Sequence, residues 1–138
     1  MDHKLSHCFL YVTDQDAALA FYTGPVGLEL RVDAPMEHMR WLTVGPPSQP
    51  QIELSLMAVG VPIPPADQPV VAGLLTKGSL PGVIFSTDDC DATFERLVAA
   101  GAEVIQEPAD QAYGVRDCAV RDPSGNHIRF SEPLPASG

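Results

Sequence analysis

The chain contains two similar halves, and this internal repeat limits its fold more than any other feature of the sequence. Residues 10–18 have the pattern of a strand that runs into the start of a helix, and residues 84–92 repeat that pattern. Asp14 in the first half corresponds to Asp89 in the second, at an offset of about 75 residues. Each half is too small to bury a good core by itself. We therefore expect two units that share one core.

Each half predicts the order β-α-β-β-β, from the alternation of apolar residues, the capping residues and the turn residues. The chain should thus be an α+β protein with one compact domain, made of a first unit (1–59), a connector (60–81) and a second unit (82–138). The predicted strands are 6–12, 28–32, 40–44 and 51–57, then 83–86, 103–106, 116–120 and 127–131. The predicted helices are 16–23, capped by Asp14 or Asp16, and 91–100.

The connector, residues 60–81, contains five prolines. The residue before each proline is pushed out of helical geometry, so we expect an extended, irregular segment. A segment of this length without regular structure serves as a linker or as a functional loop such as a lid. Both readings stay open for this connector.

The charge of the chain excludes some classes of partner. Eight Lys and Arg against 18 Asp and Glu give a formal net charge of −10, which is unsuited to nucleic acid. There is no run of 18 apolar residues and no signal-peptide pattern, so we expect no membrane partner. The three cysteines form no CxxC pair, which is typical of reduced thiols in a cytoplasmic protein.

Two local motifs accompany the repeat. Residues 14–22 read Asp-x-Asp-Ala-Ala-x-x-Phe-Tyr, and residues 122–126 read Asp-Pro-Ser-Gly-Asn. With the two β-α-β-β-β units, they resemble the vicinal oxygen chelate superfamily, which includes glyoxalase I, bleomycin-resistance proteins and extradiol dioxygenases. The resemblance covers about residues 5–132. It implies eight strands that form a curved cavity with helices outside, and a homodimer in which the cavity lies within one chain or is shared.

The resemblance also implies four positions that hold a divalent metal in metal-dependent members. His7 and Glu53 occupy two of them, and strand alternation independently places both on the cavity face. Gly82 and Arg129 occupy the others, and neither side chain can coordinate a cation. We therefore expect no cofactor, with His7, Glu53 and His127 as the remaining candidate ligands if a metal does bind. Arg129 is expected to pair with Glu53 across the cavity.

Large aromatic side chains are expected to wall the cavity. The predicted ligand-binding residues are Phe9, Tyr11, Trp41, Tyr113, His127 and Arg129. The first hypothesis is a glyoxalase/bleomycin-resistance-like protein that binds a small organic molecule without metal. The alternative is a metal-dependent lyase, isomerase or dioxygenase with His7 and Glu53 as catalytic residues, and the sequence does not decide whether the protein is an enzyme.

Overall fold

A computed structural model describes residues 1–135 and contains two four-stranded sheets and three helices. The first unit has β1 (His7–Val12), α1 (Gln15–Thr23), β2 (Glu29–Met36), β3 (Met39–Gly45) and β4 (Glu53–Ala58). A further helix, α2 (Gln68–Thr76), lies between the units. The second unit has β5 (Val83–Ser86), α3 (Cys90–Ala99), β6 (Glu103–Asp110), β7 (Val115–Arg121) and β8 (His127–Pro133). The predicted α+β fold of two β-α-β-β-β units is confirmed.

The two units begin their helices in the same way. The Asp14 side chain accepts a hydrogen bond from the Ala17 amide at 3.0 Å, and the Asp89 side chain accepts one from the Ala92 amide at 3.0 Å. Each aspartate satisfies one of the amides that a first helical turn leaves unpaired. Of the two predicted caps of the first helix, Asp14 is therefore the one that the structure uses.

The sheets have matching topologies. Their strand orders are β1-β4-β3-β2 and β5-β8-β7-β6, with parallel first pairs and antiparallel neighbours elsewhere. In the parallel pairs His7 lies across from Glu53, whereas Arg129 lies across from Ile84. Within residues 1–135 the eight strands thus divide between two sheets, and β1 and β5 are edge strands.

The core is continuous between the units. One face of each sheet and the inner sides of α1 and α3 form a single cluster of buried side chains. This burial explains the alternation along β1, in which Leu10 and Val12 are buried while Phe9 is exposed. The cluster includes Tyr22, Leu42, Leu56, Leu97, Val120, Ile128 and Phe130.

Polar contacts join the units at the Asp-Pro-Ser-Gly-Asn turn. The Tyr22 hydroxyl donates to Asp122 Oδ2 at 2.7 Å, and both groups are buried. Asn126 Nδ2 donates to the Tyr11 carbonyl at 2.7 Å, and the Ser124 hydroxyl accepts from the Thr13 amide at 2.9 Å. A motif that resembles an ordinary turn in the sequence therefore also holds the first unit against the second.

The connector differs from its prediction because it contains helix α2. Pro69 lies in the first turn, where its missing N–H costs no intrahelical hydrogen bond, and no proline follows until Pro81. Leu75 is fully buried, and a Cβ atom added at Gly125 would collide with the Leu75 carbonyl. The end of α2 is thus packed against the turn of the second unit. None of the helices within residues 1–135 is long and apolar enough to cross a membrane.

Candidate ligand-binding site

The first sheet turns an aromatic face away from the core. We define the first face by His7, Phe9, Tyr11, Trp41 and Glu53. The ring of Trp41 lies 6.0 Å from that of His7 and 6.3 Å from that of Phe9, in the second case edge to face. Phe9 is 62% exposed although it belongs to a strand, and Tyr11 is partly exposed. Strand alternation alone had not fixed the direction of Trp41, and the structure places it on this face.

Glu53 is the polar centre of the first face. Its Oε1 accepts a hydrogen bond from the Thr43 hydroxyl at 2.6 Å, and its Oε2 lies 3.4 Å from His7 Nε2. The neighbouring Ser55 hydroxyl is buried and makes no hydrogen bond within the described residues. The carboxylate is thus held by Thr43 and His7, which lie on the two strands next to β4.

The second sheet carries a polar cluster around one buried carboxylate. We define the Asp117 cluster as Asp117, Gln106, Gln111, Tyr113 and Arg129. Asp117 accepts from Gln106 Nε2 and Gln111 Nε2 at 2.9 Å each, and from the Tyr113 hydroxyl at 3.2 Å. Arg129 Nη1 lies 3.0 Å from Asp117 Oδ2 and donates to Gln106 Oε1 at 2.9 Å. Four side chains therefore fix the position of this carboxylate.

The prediction that Arg129 pairs with Glu53 is wrong within one chain. Arg129 pairs with Asp117 on the neighbouring strand of its own sheet, whereas Glu53 is held by Thr43 and His7. Asp117 lies on the strand next to that of Arg129, where side chains of neighbouring strands are in reach of each other, whereas Glu53 belongs to the other sheet. Asp117 lies on β7 between Arg116 and the buried Cys118, and it was not among the predicted site residues.

Burial and charge act differently on two titratable groups here. Burial would raise the pKa of Asp117, but hydrogen bonds from Gln106, Gln111 and Arg129 lower that pKa below its ordinary value. Burial lowers the pKa of His127, and the positive charges of Arg129 and Arg121 lower it further. His127 Nε2 lies 3.3 Å from Arg129 Nη2, which suits a neutral imidazole that accepts a hydrogen bond.

The residues do not form a complete metal site. His7 and Glu53 are adjacent, but His127 contacts Arg129, and no group of three or more His, Cys, Asp or Glu residues suited to a metal occurs in residues 1–135. Gly82 cannot simply regain a ligand, because a Cβ atom there would collide with the His127 backbone. Within the described part of the chain, two of the three candidate ligands, His7 and Glu53, are thus brought together, while His127 is occupied by Arg129.

The strand register also changes the correspondence between the units. Val83 lies across from Ile128, which places His127 next to Gly82 just as Glu53 lies across from His7. Counting along the sequence instead matches Glu53 with Arg129. By position in the sheet, Glu53 therefore corresponds to His127. Arg129 lies two residues further along β8, on the same face as His127.

Four residues near these faces were not predicted from the sequence: Thr43, Gln106, Gln111 and Asp117. A usable signal existed in the alternation, because Thr43 follows Trp41 by two positions and Asp117 precedes the buried Cys118. Gln106 and Gln111 had no such signal. They reach Asp117 from β6 and from the turn after it, and no spacing in the sequence indicates that contact.

Clefts also occur where the two units meet, away from most of the predicted residues. The larger one, about 640 Å³, lies between the turn after β3 and strand β5 and contains none of the predicted site residues. The smaller one, about 280 Å³, is mainly apolar and is lined by Glu53 and Cys8 among others. Glu53 is the one predicted site residue that lines either of these two clefts, whereas the two faces hold most of the predicted residues, so we take the faces as the candidate site.

Paired β-α-β-β-β units, with two four-stranded mixed sheets over one shared core, define a class of small α+β proteins. The chain belongs to the Glyoxalase/Bleomycin resistance protein/Dioxygenase superfamily, whose family model matches residues 4–130. This agrees with the resemblance seen in the sequence.

Similar proteins cover nearly the whole chain. The crystal structure of UcmS2 shares 38% identity and a TM-score of 0.87, and covers 95% of this chain and 98% of its own. The crystal structure of TnmS3, an antibiotic binding protein from Streptomyces sp. CB03234, shares 32% identity and a TM-score of 0.74, with 96% and 97% covered. The uncharacterized protein YurT of Bacillus subtilis (strain 168) is 34% identical, with 88% and 92% covered.

Proposed function

We propose that this protein binds a small organic molecule against its first face, and that it acts by binding the molecule rather than by transforming it. The observation that carries the proposal is the ring of Phe9, 62% exposed beside Trp41 on the side of the sheet opposite the core. Large apolar side chains left open on one sheet face are typical of an interaction surface. The likeness to TnmS3, described as an antibiotic binding protein, supports a ligand of this kind.

The incomplete metal site favours binding over metal-dependent chemistry. By position in the sheet, the four expected positions hold His7, Glu53, Gly82 and His127. Glycine supplies no ligand, and the His127 ring is already in contact with Arg129 Nη2 at 3.3 Å. The alternative, a metal-dependent lyase, isomerase or dioxygenase, is supported by the pair of His7 and Glu53, 3.4 Å apart. Stoichiometric metal in protein purified without a metal-binding tag, lost in a Glu53→Ala variant, would favour that alternative.

We further propose a homodimer in which these faces meet those of a second copy. Ile84 on β5 and Tyr113 in the turn between β6 and β7 are 69% and 70% exposed, so apolar surface is open in both units. A symmetric dimer covers such surface and turns open faces into an enclosed cavity. A light-scattering mass of a single chain at micromolar concentration would contradict this arrangement. The cytoplasmic location and the absence of a nucleic-acid partner stay predictions from the composition.

A fluorescence titration tests the proposed binding. Trp41 is the single tryptophan of the chain and belongs to the first face. The apolar probe N-phenylnaphthylamine absorbs where tryptophan emits, so binding near Trp41 should quench its emission and excite the probe. We expect saturable energy transfer. Probe fluorescence that rises without a change in Trp41 emission would place binding elsewhere, and no response at all would contradict a small-molecule site on this face.

A further inference from the structure

The guanidinium of Arg129 is held in place, but only some of its N–H donors have a hydrogen-bond partner in the described residues. Its Nη1 contacts Asp117 and Gln106, and its Nη2 contacts His127. An arginine carries five N–H donors in a planar fork. Within residues 1–135, Nε–H and the second Nη2–H have no hydrogen-bond partner, and the side chain keeps 22% of its surface exposed. Donors at a fixed position thus remain available to a ligand.

The partners of Arg129 decide which acceptor suits those donors. Asp117 already balances the positive charge of the guanidinium, and His127 accepts from it as a neutral ring. The chain as a whole carries a formal charge of −10. An anion would gain little from a charge that is already paired and would be repelled by the rest of the chain. An uncharged oxygen acceptor meets only the favourable hydrogen bonds.

Beside the polar partners of Arg129, two exposed side chains offer apolar surface. Ile84 lies directly across from Arg129 in the parallel pair of β5 and β8, and its side chain is 69% exposed. The Tyr113 hydroxyl is turned to Asp117 while the residue is 70% exposed. An apolar body can therefore lie on Ile84 and Tyr113 while a single oxygen reaches Arg129.

We propose that Arg129 is a specificity-determining residue that binds an uncharged carbonyl oxygen on an apolar ligand. This inference rests on the proposed function and adds the chemical class of the ligand. Asp117 serves as a positioning residue, because its contact with Arg129 Nη1 fixes the plane of the fork. Gln106 and Gln111 hold Asp117 in turn.

Three related probes test the proposal. Prodan is an uncharged naphthalene with a ketone oxygen, and its emission shifts to the red when that oxygen accepts a hydrogen bond. N-phenylnaphthylamine has no carbonyl, and anilinonaphthalene sulfonate carries an anionic group instead. We expect the wild-type protein to bind prodan with a red-shifted emission and to bind the sulfonate more weakly than N-phenylnaphthylamine.

Variants at Arg129 then separate recognition from folding. Arg129→Met should weaken prodan binding about tenfold, the effect of a lost hydrogen bond to a charged donor, and change N-phenylnaphthylamine binding less than about twofold. Arg129→Lys keeps a charge beside Asp117 but loses the planar fork, so it should remain folded and still lose the red shift. Lys77→Met is the control, since it removes an equal charge from an exposed residue outside the Asp117 cluster.

The outcomes distinguish this inference from the proposed function. Equal loss of both uncharged probes in the folded Arg129→Lys variant would overturn the role of Arg129, as would unchanged prodan binding and emission. Tighter binding of the sulfonate that disappears in Arg129→Met would show an anion site and overturn the uncharged acceptor. If the wild-type protein binds none of the probes, the proposed function fails and this inference fails with it.

Discussion

At the scale of single residues, the chemistry of the second face, the side of the second sheet that carries the Asp117 cluster, depends on how charge is shared around Arg129. Asp117 is almost completely buried, and an unpaired carboxylate there would be costly. Its four donors remove that cost, and Arg129 keeps its position as a result. Removing one partner of such a pair exposes the other to a penalty of about 3–5 kcal/mol. The Asp117 cluster is thus expected to be more sensitive to substitution than its distance from the shared core indicates.

His127 provides a pH-dependent prediction at this scale. Burial, Arg129 and Arg121 lower its pKa in the folded protein below the ordinary value near 6.5. The unfolded chain therefore binds more protons in this range, so the stabilisation is fully present above about pH 6.5 and is lost as the pH falls through the lowered pKa. We expect the melting temperature to fall between about pH 7.5 and about pH 5.5, and to fall less in His127→Gln.

The control for this prediction is His38→Gln, because His38 is an exposed residue of the turn between β2 and β3. It should lose stability with pH as the wild-type protein does. If the melting temperature of His127→Gln depends on pH as that of the wild-type protein does, the prediction that burial and nearby arginines lower the pKa of His127 is wrong.

Single residues also show what the sequence could and could not predict at the site. Alternation along β1 and β4 predicted only that His7 and Glu53 share the cavity face. That these two strands are parallel neighbours, with His7 across from Glu53, is seen in the structure. The partner of Arg129 was not predictable in the same way. A guanidinium at the end of a long side chain can reach several strands, and only the three-dimensional register selects Asp117 over Glu53.

At the scale of secondary-structure elements, the helices and strands of the two units followed from local signals, whereas helix α2 did not. Capping aspartates and apolar alternation recur in both halves, so each unit supported the prediction of the other. The prolines around α2 indicated an irregular segment, but Pro69 lies where a helix tolerates proline. Its stability comes from packing of its last turn, which a count of prolines does not reveal.

The packing of α2 is tested by Leu75→Ala. Leu75 is fully buried in the last turn of α2, next to the turn that contains Gly125. Deleting its buried methyl groups should lower the free energy of unfolding by about 2–5 kcal/mol. Val70→Ala on the exposed side of the same helix should change it by no more than about 0.5 kcal/mol. Urea unfolding measures both, and equal effects would mean that α2 is not anchored through Leu75.

At the scale of the whole molecule, the repeat produces two sheets that share a core on one side and differ on the other. The first face is aromatic with a carboxylate at its centre, and the second face is polar with an arginine. The two units thus share one topology, while their faces are chemically different. A ligand held between them would meet aromatic rings on one side and hydrogen-bond donors on the other.

Phe9 offers the most direct test of binding at the first face. Because it is 62% exposed, Phe9→Ser should leave the free energy of unfolding within about 0.5 kcal/mol of wild type. It removes apolar surface that a bound ligand would cover, which corresponds to about 1.5–3 kcal/mol of binding free energy. Val70→Ser is the control, since it makes a similar change to an exposed apolar residue that lies on α2 and does not belong to the first face.

The decisive measurement is the dissociation constant of N-phenylnaphthylamine for these two variants and the wild-type protein. We expect Phe9→Ser to weaken binding by about tenfold or more while Val70→Ser binds as the wild-type protein does. Equal affinities for all three proteins, with each of them folded, would contradict a ligand site on the first face.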